Sequence, residues 1–411
     1  MVDATSSIID RDPFTANRVT YNVVVIGGGI YGACLLLEAA RRGLRCLLLE
    51  RDDFGGATTW NSLRILHGGL RYLQSLDLHR FHESVSECKW FCQNFPDLIR
   101  PLPCLMPLYG KGLKRPTVFR VALAINDWLS RHRNQEICND LRLPHGRILD
   151  IAKTIELFSL VDREGLQGSG LWYDAAMTNP QRILIEILRW ACALGARASN
   201  YVEATGLLTD SGQVVGVRAR DRVGGKTFEF HSQAVVNCAG PWSRQLAKDF
   251  DRDIPDLFRP SLAFNVLLDR NPPSEATLAV QPKNSPTQVY FMHPCRGRIL
   301  AGSVYVAWTG GSGDPVPSQK QIDGFLDDLN VAVPGLDLTP RQIVRIYAGF
   351  LPTAGKGSVQ LTTREIIYDH SRHGGPRGLV SLCGIKYTMA RLVAEKTLCT
   401  ILNTDDEPRP A

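Results

Sequence analysis

The residues Gly27-Gly28-Gly29-Ile30-Tyr31-Gly32 fit the spacing G-x-G-x-x-G, and Glu50 follows eighteen positions after the last glycine. Each part answers a need of dinucleotide binding. Gly27 permits a tight turn, Gly29 lets backbone approach a pyrophosphate, Gly32 allows close helix–strand packing, and Glu50 can accept hydrogen bonds from ribose hydroxyls. A helix opening at Ile30 offers unsatisfied N–H groups and a positive dipole end to the phosphates. An acid at the ribose position disfavours a cofactor with a 2′-phosphate and leaves NAD and FAD open. Further along, Gly384 precedes the last helical segment, with Lys386 and Tyr387 in its first turn. That helix end would stabilise an anion by about 0.3–2 kcal/mol, and Lys386 would add a full positive charge. Ala239-Gly240 ends a hydrophobic run and could let backbone pass close to the same ligand.

These residues need elements to hold them. Residues 22–26 are an apolar, β-branched run of strand length, residues 30–42 read as a helix stopped by Gly43, and Cys46 to Leu49 form a second buried strand ending at Glu50. This is a βαβ unit. Helical patterns follow over 76–95, 118–131 and 180–195, the last with Ile183, Leu184, Ile187, Leu188 and Ala191 on one face. The stretch 101–116 is broken by prolines and glycines. Strand patterns cover 214–219, 227–230, 234–237 and several segments of 259–306, and a helix over about 387–402 closes the fold. The expected class is α/β: a discontinuous Rossmann-like cofactor domain (19–75, 150–255 and 345–403) and a mixed β-sheet substrate domain (76–149 and 256–344). Residues 1–18 and 404–411 are expected to be tails.

The 411 residues, 44% hydrophobic and 21% charged, suffice for a large core. A net charge of +6 is too mild over this length for a dedicated nucleic-acid binder. The excess is local: nine basic and three acidic residues lie between Arg100 and Arg147. Eleven cysteines without regular spacing argue against a disulfide framework and for a reducing compartment. Cys88 and Cys92 lack the partners of a zinc site, so no metal is expected. The first residues have no signal-peptide pattern, and the longest uncharged stretch is too short and glycine-rich to span a bilayer. A cytoplasmic location follows.

Beyond Glu50 and Arg51, the chain continues with Ala57-Thr58-Thr59 and then His67-Gly68-Gly69-Leu70-Arg71-Tyr72-Leu73. Here it resembles the FAD-dependent glycerol-3-phosphate dehydrogenase family, whose members carry a nearly identical run. The resemblance recurs at Asn200-Tyr201-Val202-Glu203, at 235–242 ending Asn237-Cys238-Ala239-Gly240-Pro241-Trp242, and at Gly384-Ile385-Lys386-Tyr387-Thr388, in register over about 21–402. It implies an FAD enzyme of the D-amino-acid oxidase-like superfamily that oxidises a CH–OH group by hydride transfer to flavin. On this reading FAD is held by Gly27, Gly29, Ile30, Gly32, Glu50, Arg51, Thr58, Thr59, His67, Gly68, Gly69, Val202, Ala239, Gly240, Gly384, Lys386 and Tyr387. The resemblance implies that Arg71, Tyr72 and Arg364 line the substrate side with Lys386, and that His67 packs beside the flavin. The partners implied are a small alcohol substrate and a quinone or oxygen as electron acceptor.

The chain also departs from that family. Leu351 stands in the place of a family arginine, and Phe264 aligns with a family histidine. Losing a charged contact typically costs about 2–5 kcal/mol, so a less charged or more apolar substrate is expected, with Lys356 a candidate substitute for the arginine. Family members continue into a helical C-terminal domain after the last cofactor helix, and this chain is expected to lack it. The segment 115–133 joins an apolar helix to Arg115, Arg120, Arg131 and Arg133, a pattern suited to the surface of an anionic membrane on its inner face. Two rival readings stand beside the first: an amine or amino-acid oxidase of the same superfamily, and a flavin-binding subunit that needs a partner for activity.

Overall fold

The computed structural model describes residues 9–402 except 74, 111, 284–287, 309–312, 356 and 357. The strand Tyr21–Ile26 is almost wholly buried, as continuous Val and Ile runs are when a parallel sheet is covered on both faces. It pairs in parallel with Cys46–Leu49 on one side and with Thr227–Asn237 on the other. Outward from these lie Arg197–Ser199 and Leu379–Cys383, and Ile366–Asp369 closes one edge antiparallel. An antiparallel hairpin, Val202–Asp210 and Gln213–Asp221, extends from the first half of Thr227–Asn237. The 227–230 and 234–237 patterns are therefore one strand.

The helix Ile30–Arg41 is buried on most of its surface because Pro180–Ala193 and Ala390–Leu402 pack against it. The last helix is also tied down by charge. Buried Arg391 pairs with buried Glu87 of the helix Leu78–Asn94, and Glu87 Oε2 accepts Leu392 N–H at 3.3 Å. Removing one partner of such a pair leaves an uncompensated buried charge, which typically costs about 3–5 kcal/mol.

The second sheet has nine strands, in the order Ile343–Pro352, Pro260–Leu268, Arg298–Ala307, Tyr290–Cys295, Thr277–Val280, Ile99–Pro107, Ser169–Met177 and Ile65–Leu66, with Arg147–Leu149 paired to Ser169–Met177. Three strands expected wholly or mostly in the cofactor domain by position thus join this sheet: Ile65–Leu66, Ser169–Met177 and Ile343–Pro352, the last from residue 345 onward. The broken stretch 101–116 begins with a strand, Ile99–Pro107. Pro101, Pro103 and Pro107 sit at alternate positions, so their missing N–H groups fall along one edge. Residues 9–18 are docked rather than a tail: Asp12 caps the turn Pro13–Ala16, Ala16 is buried, and Arg11 Nε donates to Asn200 O at 3.0 Å and pairs with Asp221. Residues 1–8 and 404–411 lie outside the described residues.

Phe264 points away from the region between the sheets. It is fully buried among Val266, Leu268 and Met292, with its ring edge-on to Phe325 of the helix Gln319–Ala332, centroids 5.9 Å apart. Its strand neighbours Ala263 and Asn265 face the cleft instead, as the two-residue alternation of a strand requires. Phe264 is thus a core residue, not a replacement for a substrate-facing histidine. Phe264→Ala is expected to cost about 3–5 kcal/mol in chemical denaturation while leaving binding in the cleft unchanged; altered ligand affinity without lost stability would contradict this placement.

Candidate functional site

A cleft of about 1830 Å³ runs between the two sheets. Residues that immediately follow the carboxyl ends of the parallel strands line it: Gly27, Glu50, Cys238, Ala239 and Gly384. This is where ligands bind in open parallel sheets. The glycines are there because nothing larger fits. A Cβ on Gly27, whose φ is +107°, would lie 2.5 Å from Cys238 O, and one on Gly32 would lie 1.9 Å from Gly27 O. Gly32 itself packs helix against strand and does not line the cleft.

Glu50 is half-buried against this turn. Its Oε2 accepts Gly28 N–H at 2.6 Å and its Oε1 accepts Asp52 N–H at 2.8 Å. Burial pushes the carboxyl above its ordinary range, and the two N–H donors pull it back toward the charged form. Each oxygen keeps a second lone pair for a hydroxyl. Thr59 Oγ1 accepts Ile30 N–H at 3.1 Å, which satisfies one of the helix's leading donors, and Thr58 Oγ1 donates to Phe350 O at 3.3 Å. Val202 is buried and donates its N–H to Glu50 O at 2.8 Å. Arg51 lies over the Trp242 ring at 4.1 Å, spanning one end of the cleft beside Ala239 and Gly240.

At the other end, Tyr31 joins the glycine turn to the last helix. Its hydroxyl donates to Lys386 O at 2.6 Å and accepts from Ile385 N–H and Lys386 N–H, both at 3.0 Å. A Cβ on Gly384 would lie 1.8 Å from the Tyr31 ring. Lys386 is half-buried, its Nζ hydrogen-bonded to the Tyr72 hydroxyl and lying 4.2 Å from the Tyr72 ring centroid. Burial, then Arg71 and Arg80, push its pKa down to about 8; burial also pushes the Tyr72 phenol up. Tyr387 donates its hydroxyl to Pro180 O at 2.9 Å and packs on Phe91 in the core.

Most of the expected residues come together: Arg71, Tyr72, His67, Gly69 and Lys386 all line the cleft. Gly68 instead donates its N–H to Asp174 Oδ1 at 2.8 Å. Arg364 does not join them. It is exposed, because Leu361 of the same segment turns to the cleft and Glu365 turns inward to Lys396 at 2.9 Å. Leu351 does line the cleft; Lys356 lies outside the described residues.

The structure adds groups that local patterns could not reveal. Buried Asp174, from the strand Ser169–Met177, holds His67 Nδ1 at 3.0 Å, and the His67 ring packs on Phe291 with centroids 5.5 Å apart. Arg64 lines the cleft beside Tyr347, and Asn265 receives Ser303 Oγ at 2.7 Å while donating to Asn61 O at 2.9 Å. Among the described residues, no group of three or more His, Cys, Asp or Glu side chains is placed to hold a metal ion.

These residues fit FAD. The turn that a Cβ would block leaves room for a pyrophosphate, a helix N-terminus faces it, Glu50 lies at a ribose position, and the cleft continues to Lys386.

Comparison with known proteins agrees. The family profile described as FAD dependent oxidoreductase matches residues 22–397. A glycerol-3-phosphate dehydrogenase of Synechocystis is 29% identical over 392 residues, covering 92% of this chain and 69% of that protein. A mitochondrial glycerol-3-phosphate dehydrogenase of Arabidopsis thaliana is 31% identical, covering 91% of this chain and 59% of that protein. The glycerol-3-phosphate dehydrogenase of Bacillus halodurans, solved with FAD, shares the fold at a TM-score of 0.73 and 23% identity, covering 96% of this chain and 67% of that one.

Gly384→Ala is expected to yield folded protein that has lost its flavin absorbance, since the new methyl displaces Tyr31 from the Lys386 backbone. Wild-type flavin content in that variant would refute the close approach.

Proposed function

Because the chain belongs to the FAD dependent oxidoreductase family, we propose that it oxidises the CH–OH group of a small alcohol with an anionic end, resembling glycerol 3-phosphate. The observation that carries this reading is the cluster of cations in the inner cleft. Arg64, Arg71 and Lys386 line it, and Asp174, a cleft carboxylate, is occupied by His67 and Gly68. FAD, when bound, accepts the hydride from the carbinol carbon.

The chain's own residues supply the rest. Asp174 accepts from His67 Nδ1–H, which leaves the Nε2 lone pair free, so His67 serves as the base for the hydroxyl proton. This reassigns His67 from a packing residue. Lys386 and the N-terminus of the last helix place positive charge where negative charge develops, and Tyr72 fixes the ammonium by hydrogen bond and ring face. Arg71 and Arg64 hold the anionic end. Leu351 presents an apolar wall, so one cationic contact is missing and affinity is lower by roughly thirty-fold or more.

Anaerobic glycerol 3-phosphate is expected to bleach the flavin with a high KM, and Leu351→Arg to lower that KM at least tenfold. Equal bleaching by glycerol, or an imine product from an amine, would overturn the reading. Lys386 must be protonated to act, and its pKa is near 8. Hence kcat/KM should fall as pH rises through about 8, and Lys386→Arg should keep activity above that point.

The electron acceptor we propose is a quinone or oxygen, reached beside a membrane face. On the helix Pro116–Leu129, Val118, Val121, Ile125 and Trp128 form an exposed stripe, Trp128 being 65% exposed. Val118, Phe119 and Ala122 also line the cleft. Arg115, Arg120 and Arg131 surround the stripe, whereas Arg133 is half-buried and paired with Asp127 at 2.9 Å. No helix among the described residues is long and apolar enough to cross a membrane. Co-sedimentation with phosphatidylglycerol vesicles is expected to fail once Trp128→Ser is combined with neutralisation of those three arginines; unchanged binding would discount this surface.

A further inference from the structure

Behind the cleft, four side chains form a continuous hydrogen-bonded line that the proposed chemistry does not use. Asp251 Oδ2 lies 2.8 Å from His370 Nδ1, and His370 Nε2 lies 2.9 Å from Ser381 Oγ. Asn237 Nδ2 donates to Ser381 Oγ at 3.1 Å, and Asn237 Oδ1 accepts Ala239 N–H at 3.2 Å. His370, Ser381 and Asn237 are fully buried.

The chemistry of these groups fixes the direction of every bond. A carboxylate only accepts, so Nδ1 carries the proton and Nε2 of the neutral ring is an acceptor. Ser381 therefore donates its hydroxyl hydrogen to Nε2, and its oxygen is left to accept from Asn237. Every donor in the line has one acceptor.

Two features direct the line at the cleft. Its end, Ala239, lines the cleft beside Gly240, and the preceding Cys238 O is the atom a Cβ on Gly27 would strike. The line also clamps the helix Ser243–Phe250 at both ends. Asn237 Nδ2 donates to Ser243 O at 2.8 Å, while Asp251 follows the last turn and its N–H bonds Ala247 O at 2.9 Å. That helix gives Gln245, Leu246 and Asp249 to the cleft wall.

We propose that His370 is a positioning residue for the flavin: with Asp251 and Ser381 it locks Asn237, and through it the Ala239–Gly240 turn, in the form that holds the cofactor. The proposal rests on FAD occupying the cleft, not on the identity of the substrate. Charging the ring reverses the line, because Nε2–H would then donate to Ser381 Oγ and orphan the serine hydroxyl hydrogen in a buried site. The groups facing His370 are Asp251 and Arg252 beyond the helix, and Tyr368 and Asp369 on the strand that leads into its turn, which also carries Arg372 and His373. Burial holds the ring below its ordinary pKa against the pull of Asp251, so the neutral ring prevails at neutral pH and is lost in acid.

The test follows FAD release from the holoenzyme by flavin fluorescence between pH 5 and 7.5, with thermal midpoints in parallel. Wild-type protein is expected to release FAD at least tenfold faster at pH 5. Ser381→Ala, which removes only a hydroxyl, should release it at pH 7.5 as fast as wild type does at pH 5, with a flat profile. Asp251→Asn, which removes the fixed polarity, should behave alike. Variants that lose thermal stability but keep the wild-type release rate and its pH dependence would reduce the line to a structural tie and overturn the proposal. Retained FAD that no alcohol reduces would defeat the functional reading alone; protein that holds no FAD would defeat both.

Discussion

The cofactor cleft depends on three close approaches that no side chain permits. Gly27 faces Cys238 O, Gly32 faces Gly27 O, and Gly384 faces the Tyr31 ring, each at a separation that excludes a Cβ. The Tyr31 hydroxyl then fills its full capacity, one donated and two accepted bonds, on residues about 355 positions away in the chain. A single phenol thus joins the first turn of the sheet to the last helix. Burial pushes that phenol's pKa up, which favours the protonated form that donates. The dinucleotide turn and the cation that faces the reacting end of the cleft are one rigid unit, and neither can shift without the other.

That unit also determines where charge is tolerated. Lys386 lies where burial and two neighbouring arginines make its proton easy to lose, and its ammonium rests on the Tyr72 hydroxyl and ring. A cation held against desolvation and like charges gains when an anion arrives, which is the electrostatic logic of a binding site rather than of a surface lysine. The opposite arrangement occurs five residues on, in the first turn of the last helix, where Arg391 is matched by Glu87 and Glu395. Two cations near the same helix end thus differ: Arg391 is neutralised in place, and Lys386 has a phenol rather than a carboxylate as its hydrogen-bond partner.

The sequence was most informative where the constraint is local. The glycine spacing, the strands on either side of it and Glu50 are all consequences of one turn, so their pattern survives in the linear order. The stretch Ile99–Pro107 read as broken because prolines are strand breakers in general; here their missing donors fall on one edge. Phe264 was placed on the substrate side by alignment alone, yet which face a strand residue occupies depends on register, and this strand shifts register between Phe264 and Val266 against Arg298–Ala307. Asp174 gave no signal, since nothing near it in sequence tells that His67, 107 positions earlier, will meet it.

The correction at Phe264 changes the argument about the substrate. Two lost polar contacts would describe a pocket turned apolar, but only Leu351 faces the cleft, and Arg64, which no local motif marked, faces it too. Leu351 removes one cation from the wall, while Arg64, Arg71 and Lys386 remain. The cleft should then still select an anion, with one contact fewer. On the proposed reading, Leu351 weakens the hold on an anionic end and does not turn the pocket toward neutral alcohols.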